Sequence, residues 1–226
     1  MRNLAFIGSM FKQATGRNPA EVRKEVFQLG QIVTVDISPF ILLIGSQARY
    51  QDVLSFNGNG HIMSVTELFN NRQKFFRVQF TSDQYILACV DEREGKITEC
   101  YWFKKMDTVT LTTGNYNTFL GDDNGLIGWW QFQVGEEEPY NRYWQPWDPS
   151  VPVRVQPERF STCSLNTPVL TSNPVGAMMY WKPTNRTNDI APLQEYLWVE
   201  HFDARNDQHV DIYCGYDIDP ALVQIL

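Results

Sequence analysis

This chain holds little of what metal, redox and nucleophile chemistry require. Its 226 residues include only four cysteines and three histidines. Cys89, Cys100, Cys163 and Cys214 lie far apart and form no CxxC pair, so neither a zinc ribbon nor a thioredoxin-like dithiol is indicated. An even count without an export signal reads as reduced, mostly buried thiols. His61, His201 and His209 are scattered too, and the nearest two are eight positions apart, whereas paired zinc ligands on one helix face need a spacing of four. No metal and no other cofactor is expected. There is no GxSxG elbow, no GxxxxGK[ST] phosphate loop and no GxGxxG after a strand, which argues against an enzyme.

Long apolar runs are absent as well. No stretch reaches the 18 or so residues a membrane-crossing helix needs. Basic charge is scarce in the second half: residues 1–113 carry 13 Lys+Arg against 11 Asp+Glu, while residues 114–226 carry 6 against 15, within a net charge of −7. Phosphate backbones are bound by clustered Lys and Arg, so nucleic acid is not an expected partner. The acidic surplus reads as a solvated surface.

Hydrophobic content is 43% and aromatic content 14%, enough to fill one sizeable core. All-β domains commonly reach roughly 200–250 residues without splitting, and no linker, repeat or low-complexity run divides this chain. The expected organisation is a short segment over 1–17 followed by a single mainly-β domain over 18–226. In the first segment Leu4, Ile7, Phe11 and Ala14 recur at helical spacing beside Phe6 and Met10, and Arg2, Lys12 and Arg17 flank them. Gly8-Ser9 and Lys12-Gln13 interrupt it too early for a secretory signal. A short basic amphipathic helix can lie on a bilayer surface or cap a domain, which makes Leu4, Phe6, Ile7, Met10 and Phe11 candidates for membrane or partner contact.

Asn18-Pro19-Ala20-Glu21 has an N-cap, a proline at the first helical position and an acidic first turn, predicting a brief helix to about Gln28. From Gln31 the pattern turns β-branched. Asn57-Gly58-Asn59-Gly60 predicts a tight hairpin turn. Strands are then expected over 62–69, 75–80, 84–90 and 97–103, a short helix near 113–120, a strand from Leu126 to Phe132, and a return through Gly135–Pro139 into Tyr140–Trp144. Later strands fall at 158–164, 176–182, 194–202 and 209–217. Short, evenly spaced strands separated by turn signals indicate an antiparallel meander, forming a sandwich or a partly open barrel.

The densest chemical signal is Tyr140-Asn141-Arg142-Tyr143-Trp144-Gln145-Pro146-Trp147, facing Trp129 and Trp130 across the expected hairpin. Trp129, Tyr140 and Trp144 could stack on a planar or sugar-like ligand while Arg142 clamps a carboxylate or phosphate. The competing reading is that these are core aromatics, with Arg142 paired to Asp122 or Asp123. Glu136-Glu137-Glu138 lacks the pattern of a calcium loop. The acids Asp203, Asp207, Asp211, Asp217 and Asp219 do acid–base work only if the fold gathers them.

Taken in order, Gly30-Gln31-Ile32-Val33 with Asp36 and Pro39-Phe40, then Leu126-Ile127-Gly128 followed by Phe132, Tyr140, Arg142 and Trp144, and finally Val151-Pro152-Val153 before an acidic carboxyl-terminal hairpin, the chain resembles the YjfK-like family of bacterial proteins. Trp130 and the Glu136–Glu138 run are local to this chain. The resemblance covers most of the sequence from about residue 28 and supplies no catalytic residues. It implies a cytoplasmic bacterial protein, peripheral to the inner membrane and associated with membrane stress, in an accessory or scaffold role. The expectation is therefore a non-enzymatic interaction protein with a protein or membrane partner and room for a homodimer. The alternative is a small-molecule binding module built on residues 129–147.

Overall fold

The computed structural model describes residues 27–36, 38, 59–69, 74–80, 83–91, 94–120, 125–136, 138–142, 158–159, 161–164, 176–184, 194–204 and 207–226. Fourteen strands account for most of them. A three-stranded antiparallel sheet joins β14 (Val223–Ile225), β1 (Ile32–Val35) and β2 (Asn59–His61) in that order. The larger antiparallel sheet runs β10 (Ser161–Ser164), β3 (Ser64–Phe69), β4 (Lys74–Gln79), β5 (Gln84–Asp91), β6 (Lys96–Thr110), β13 (Asp207–Asp217), β12 (Gln194–Ala204), β11 (Gly176–Pro183), β8 (Tyr140–Arg142) and β7 (Gln131–Phe132). β9 (Glu158–Arg159) pairs with β11 beside β8. β10 and β7 are not bonded to one another, so the sheet is not closed into a barrel.

The mixed patterning of the strands follows from burial on both faces. Along β6, Tyr101 and Phe103 point into one cluster while Cys100 and Trp102 point into another, because successive side chains alternate across a strand. The same alternation divides β12: Tyr196 and Trp198 go to one side, Leu197 and Val199 to the other. A sheet covered on both faces leaves no polar stripe to read in its sequence.

Strong curvature creates the interior. β4 and β12 are four steps apart in the sheet, about 19 Å if it were flat. Yet the rings of Phe75 on β4 and Trp198 on β12 lie 6.3 Å apart. The sheet curls until these walls meet around Leu68, Phe75, Tyr85, Leu87, Tyr101, Phe103, Met179 and Tyr213. Bulges interrupt the register at Cys89/Val90 and at Ile212/Tyr213, the usual device for bending a sheet. Gly215 lets β13 close on β6, since a Cβ there would stand 2.0 Å from the Trp102 carbonyl oxygen and 2.6 Å from Phe103 Cδ1.

The outer side of the curl is covered twice. The small sheet packs Val33 and Val35 onto Val65, Phe76, Val78, Ile86 and Trp102. At the other end α1 (Tyr116–Leu120), Ile127 and the β7–β8 hairpin cover Met178, Tyr180, Leu197, Val199 and Val210.

The fold class expected from the sequence holds, and four local expectations change. Of the turn expected over 57–60, Asn57-Gly58 lies outside the described residues, and Asn59-Gly60 is extended in β2, opposite Thr34 and Val33. Residues 126–130 do not extend the strand that follows, because they form a turn in which Gly128 takes φ +102° and its N–H donates to the Tyr180 hydroxyl at 2.8 Å. β6 runs on to Thr110 rather than ending near Phe103. The helix near 113–120 begins only at Tyr116, since Thr112 N–H donates to the Asn115 carboxamide at 2.6 Å and shapes the preceding residues into a turn.

Candidate functional site

Charged residues inside strands that are otherwise apolar mark the chemistry of this molecule. Arg77 stands in Phe75-Phe76-Arg77-Val78, Glu195 and Glu200 bracket Tyr196-Leu197-Trp198-Val199, and Asp211 precedes Ile212-Tyr213. Being an odd number of positions apart on β12, Glu195 and Glu200 face opposite sides of the sheet.

On the inner side, Arg77 reaches from β4 across the interior. Its Nη2 donates to the Tyr213 hydroxyl at 2.9 Å and lies 3.3 Å from Glu200 Oε2. Its guanidinium also sits 4.5 Å from the Tyr85 ring centre and 5.6 Å from that of Tyr213, within the range where a cation is attracted to a ring face. Trp198 Nε1 donates to Glu200 Oε1 at 2.9 Å. Asp211, directly opposite Glu200, is met by Lys105 Nζ at 2.6 Å, Thr108 Oγ1 at 2.6 Å and the Tyr213 hydroxyl at 3.1 Å. This clasp holds two cations and two carboxylates between opposing walls.

The two acids are shifted from their ordinary values in opposite directions. Burial raises Glu200 above the usual carboxylate range, although Arg77 and the Trp198 indole oppose it. Burial also works to raise Asp211, but the hydrogen bonds from Lys105 and Thr108 and the charge of Lys105 hold it below its ordinary value. Burial, followed by the Glu200 charge, pushes both Tyr85 and Tyr213 upward. Burial likewise raises the thiols of Cys89 and Cys100, which are free.

On the outer side, Glu195 forms a second network. It accepts from the Tyr140 hydroxyl and, at 3.2 Å, from the Tyr216 hydroxyl. Lys182 Nζ lies 3.4 Å from the same carboxylate and 4.3 Å from the Tyr140 ring centre. Tyr216, Glu195 and Lys182 are directly opposite one another on β13, β12 and β11. Tyr140 continues the row, one step beyond the Trp181–Asn141 pair.

Of the ligand-binding candidates, Tyr140 is fully buried with its hydroxyl engaged, so it serves the core rather than an open stacking surface. Trp129 is half-buried in the turn before β7. Arg142 lies in β8 opposite Tyr180, its side chain outside the described set, and Trp144 lies outside the described residues. So do Leu4, Phe6, Ile7, Met10 and Phe11. Of the acids singled out whose side chains are described, Asp211 alone joins the buried clasp with Glu200. Sequence reading missed Arg77, Glu195 and Glu200; the available signal was a charge flanked by large apolar residues within a strand, a position tolerated only with partners.

A third feature is outward-facing. A groove of about 400 Å³ is lined by Ile32, Thr34, Asn59, Gly60, His61 and Leu226 on the small sheet. Among the described residues no three His, Cys, Asp or Glu side chains gather as metal ligands, and no helix is long and apolar enough to cross a membrane. No protein-family model, curated protein or solved structure matches this chain.

Proposed function

We propose that this protein is a non-enzymatic interaction protein that receives an apolar side chain of a protein partner in the groove of its three-stranded sheet. One observation carries the reading. Of the four large apolar residues exposed among the described residues, Leu29 at 43%, Met63 at 56% and Leu226 at 70% flank this small sheet, while Leu126 lies elsewhere. Single exposed apolar residues are ordinary, whereas their concentration beside an apolar-lined concavity characterises docking surfaces. The resemblance to the YjfK-like family supports the same accessory role, in the cytoplasm of a bacterium at the periphery of its inner membrane, with the first segment as the element that contacts the bilayer.

A photo-crosslinking residue placed at Thr34 tests the reading in living cells. The expected result is one discrete adduct that Ile32→Glu abolishes and that a crosslinker at the exposed Lys96 does not produce. Identical adducts from both positions would sink it. Loss of co-sedimentation with anionic vesicles on deletion of residues 1–16 is expected for the membrane-contact part, and unchanged sedimentation counts against that part alone. The alternative small-molecule module is weakened by the burial of Tyr140. It requires Arg142→Ala to change the tryptophan fluorescence response to added metabolites.

A further inference from the structure

Glu200 and Asp211 are buried carboxylates standing directly opposite each other on β12 and β13, an arrangement in which like charges repel. Their surroundings are unequal. Asp211 has an ammonium and two hydroxyl donors within 3.1 Å, with His209 Nε2 at 3.8 Å behind them. Glu200 accepts one hydrogen bond, from Trp198, and its other oxygen is near Arg77 without hydrogen-bond alignment. An ionised carboxylate offers about four acceptor positions, so an ionised Glu200 is under-served while facing a second negative charge. Neutral Glu200 keeps the Trp198 bond. Arg77 then retains the Tyr213 hydroxyl, two ring faces and the field of Asp211. Where the environments of paired acids diverge in this way, one carries the proton and the other the charge.

The titratable and hydrogen-bonding groups that act on Glu200 come from five strands: Arg77 from β4, Tyr85 from β5, Lys105 from β6, Asp211 and Tyr213 from β13, and Trp198 on its own strand. Of the charged groups among them, only Arg77 belongs to the opposite wall. The joint between the walls therefore depends on the protonation state of Glu200. We propose that closing the clasp between β4 and β12 takes up a proton at Glu200, so that acid tightens the curl and ionisation of Glu200 with rising pH loosens it.

Linkage fixes the sign. A carboxyl that binds its proton more tightly in the closed chain contributes fully below its ordinary value of 4.5 and loses that contribution as pH rises through the higher closed-state value. Asp211 behaves oppositely: held below 3.8, it loses its contribution only as pH falls through its lower closed-state value. The two windows do not overlap.

Hydrogen exchange at the amides of β4 and β12, corrected for the intrinsic pH dependence of exchange, tests the proposal in the full chain and in the Glu200→Gln and His209→Asn variants. In the wild type, opening is expected to rise by up to about tenfold per pH unit in the window above 4.5. Glu200→Gln, which imitates the neutral acid, is expected to be flat there, and His209→Asn to keep the wild-type slope. A Glu200→Gln variant that retains the slope, or a His209→Asn variant that loses it, overturns the proposal. A second measurement needs no variant: the carboxyl ¹³C resonance of Glu200 in the native protein is expected to titrate above the ordinary carboxylate midpoint, and a midpoint at or below it equally overturns the proposal.

Discussion

The two glutamates of β12 are buried almost equally, and their surroundings make them different devices. Glu195 faces the outer side, where two phenol hydroxyls and an ammonium converge on it. Glu200 faces the interior with one indole N–H and one unaligned guanidinium. The first is a lock that secures the β7–β8 hairpin, through Tyr140, to the middle of the sheet. The second joins walls that are distant in the sheet and close in space. Burial depth alone does not decide what a buried acid does; the supply of donors does.

The curvature that makes the interior network possible is the most sensitive point. Gly215→Ala puts a methyl group against the Trp102 carbonyl and the Phe103 ring. Cooperative unfolding in urea should weaken by about 3 kcal/mol or more. A fully stable variant would break the link between Gly215 and the curl. Next, Arg77→Ala leaves Glu200 facing Asp211 without its cation and should cost about 3–5 kcal/mol at neutral pH, part of which Glu200→Gln restores. Glu195→Gln on the outer side should cost about 1–3 kcal/mol, because one acceptor becomes a donor against two hydroxyls and Lys182. If it costs more than Arg77→Ala, the order of importance of the two networks is reversed. The smallest effect is expected for Lys105→Met, about 1 kcal/mol at neutral pH, since Lys105 is partly exposed. Its clearer signature is acid unfolding that begins at higher pH, because Asp211 loses the donor that most depresses its proton affinity.

Much of the fold was legible because turn chemistry punctuates it. The strands expected at 84–90, 176–182, 194–202 and 209–217 lie within two residues of β5, β11, β12 and β13. The departures have local causes. Lys104-Lys105-Met106-Asp107 looks like the end of a strand, but a bulge carries β6 through it, and there Lys105 meets Asp211. Asn59-Gly60 has the composition of a turn and is held extended by β1. Leu126–Trp130 has the composition of a strand, yet Gly128 in the left-handed region turns the chain beneath Tyr180.

The chemistry was less legible. Periodicity places residues on faces, but Arg77 and Glu200 meet only because the sheet bends across four strand positions, and one sequence carries no direct record of that bend. The aromatic run 140–147 reads as a stacking surface because its composition is the same whether a ring is open or buried. Tyr140 is buried because Glu195 and Lys182 stand beside it, a neighbourhood fixed by strand order rather than by local sequence.

The most direct test of the curled architecture is a double-mutant cycle on Arg77→Met and Glu200→Gln, read by urea unfolding at neutral pH. Contact across the interior predicts a coupling of about 1–3 kcal/mol between the two sites. Additivity within about 0.5 kcal/mol would contradict the meeting of β4 and β12, and with it the clasp.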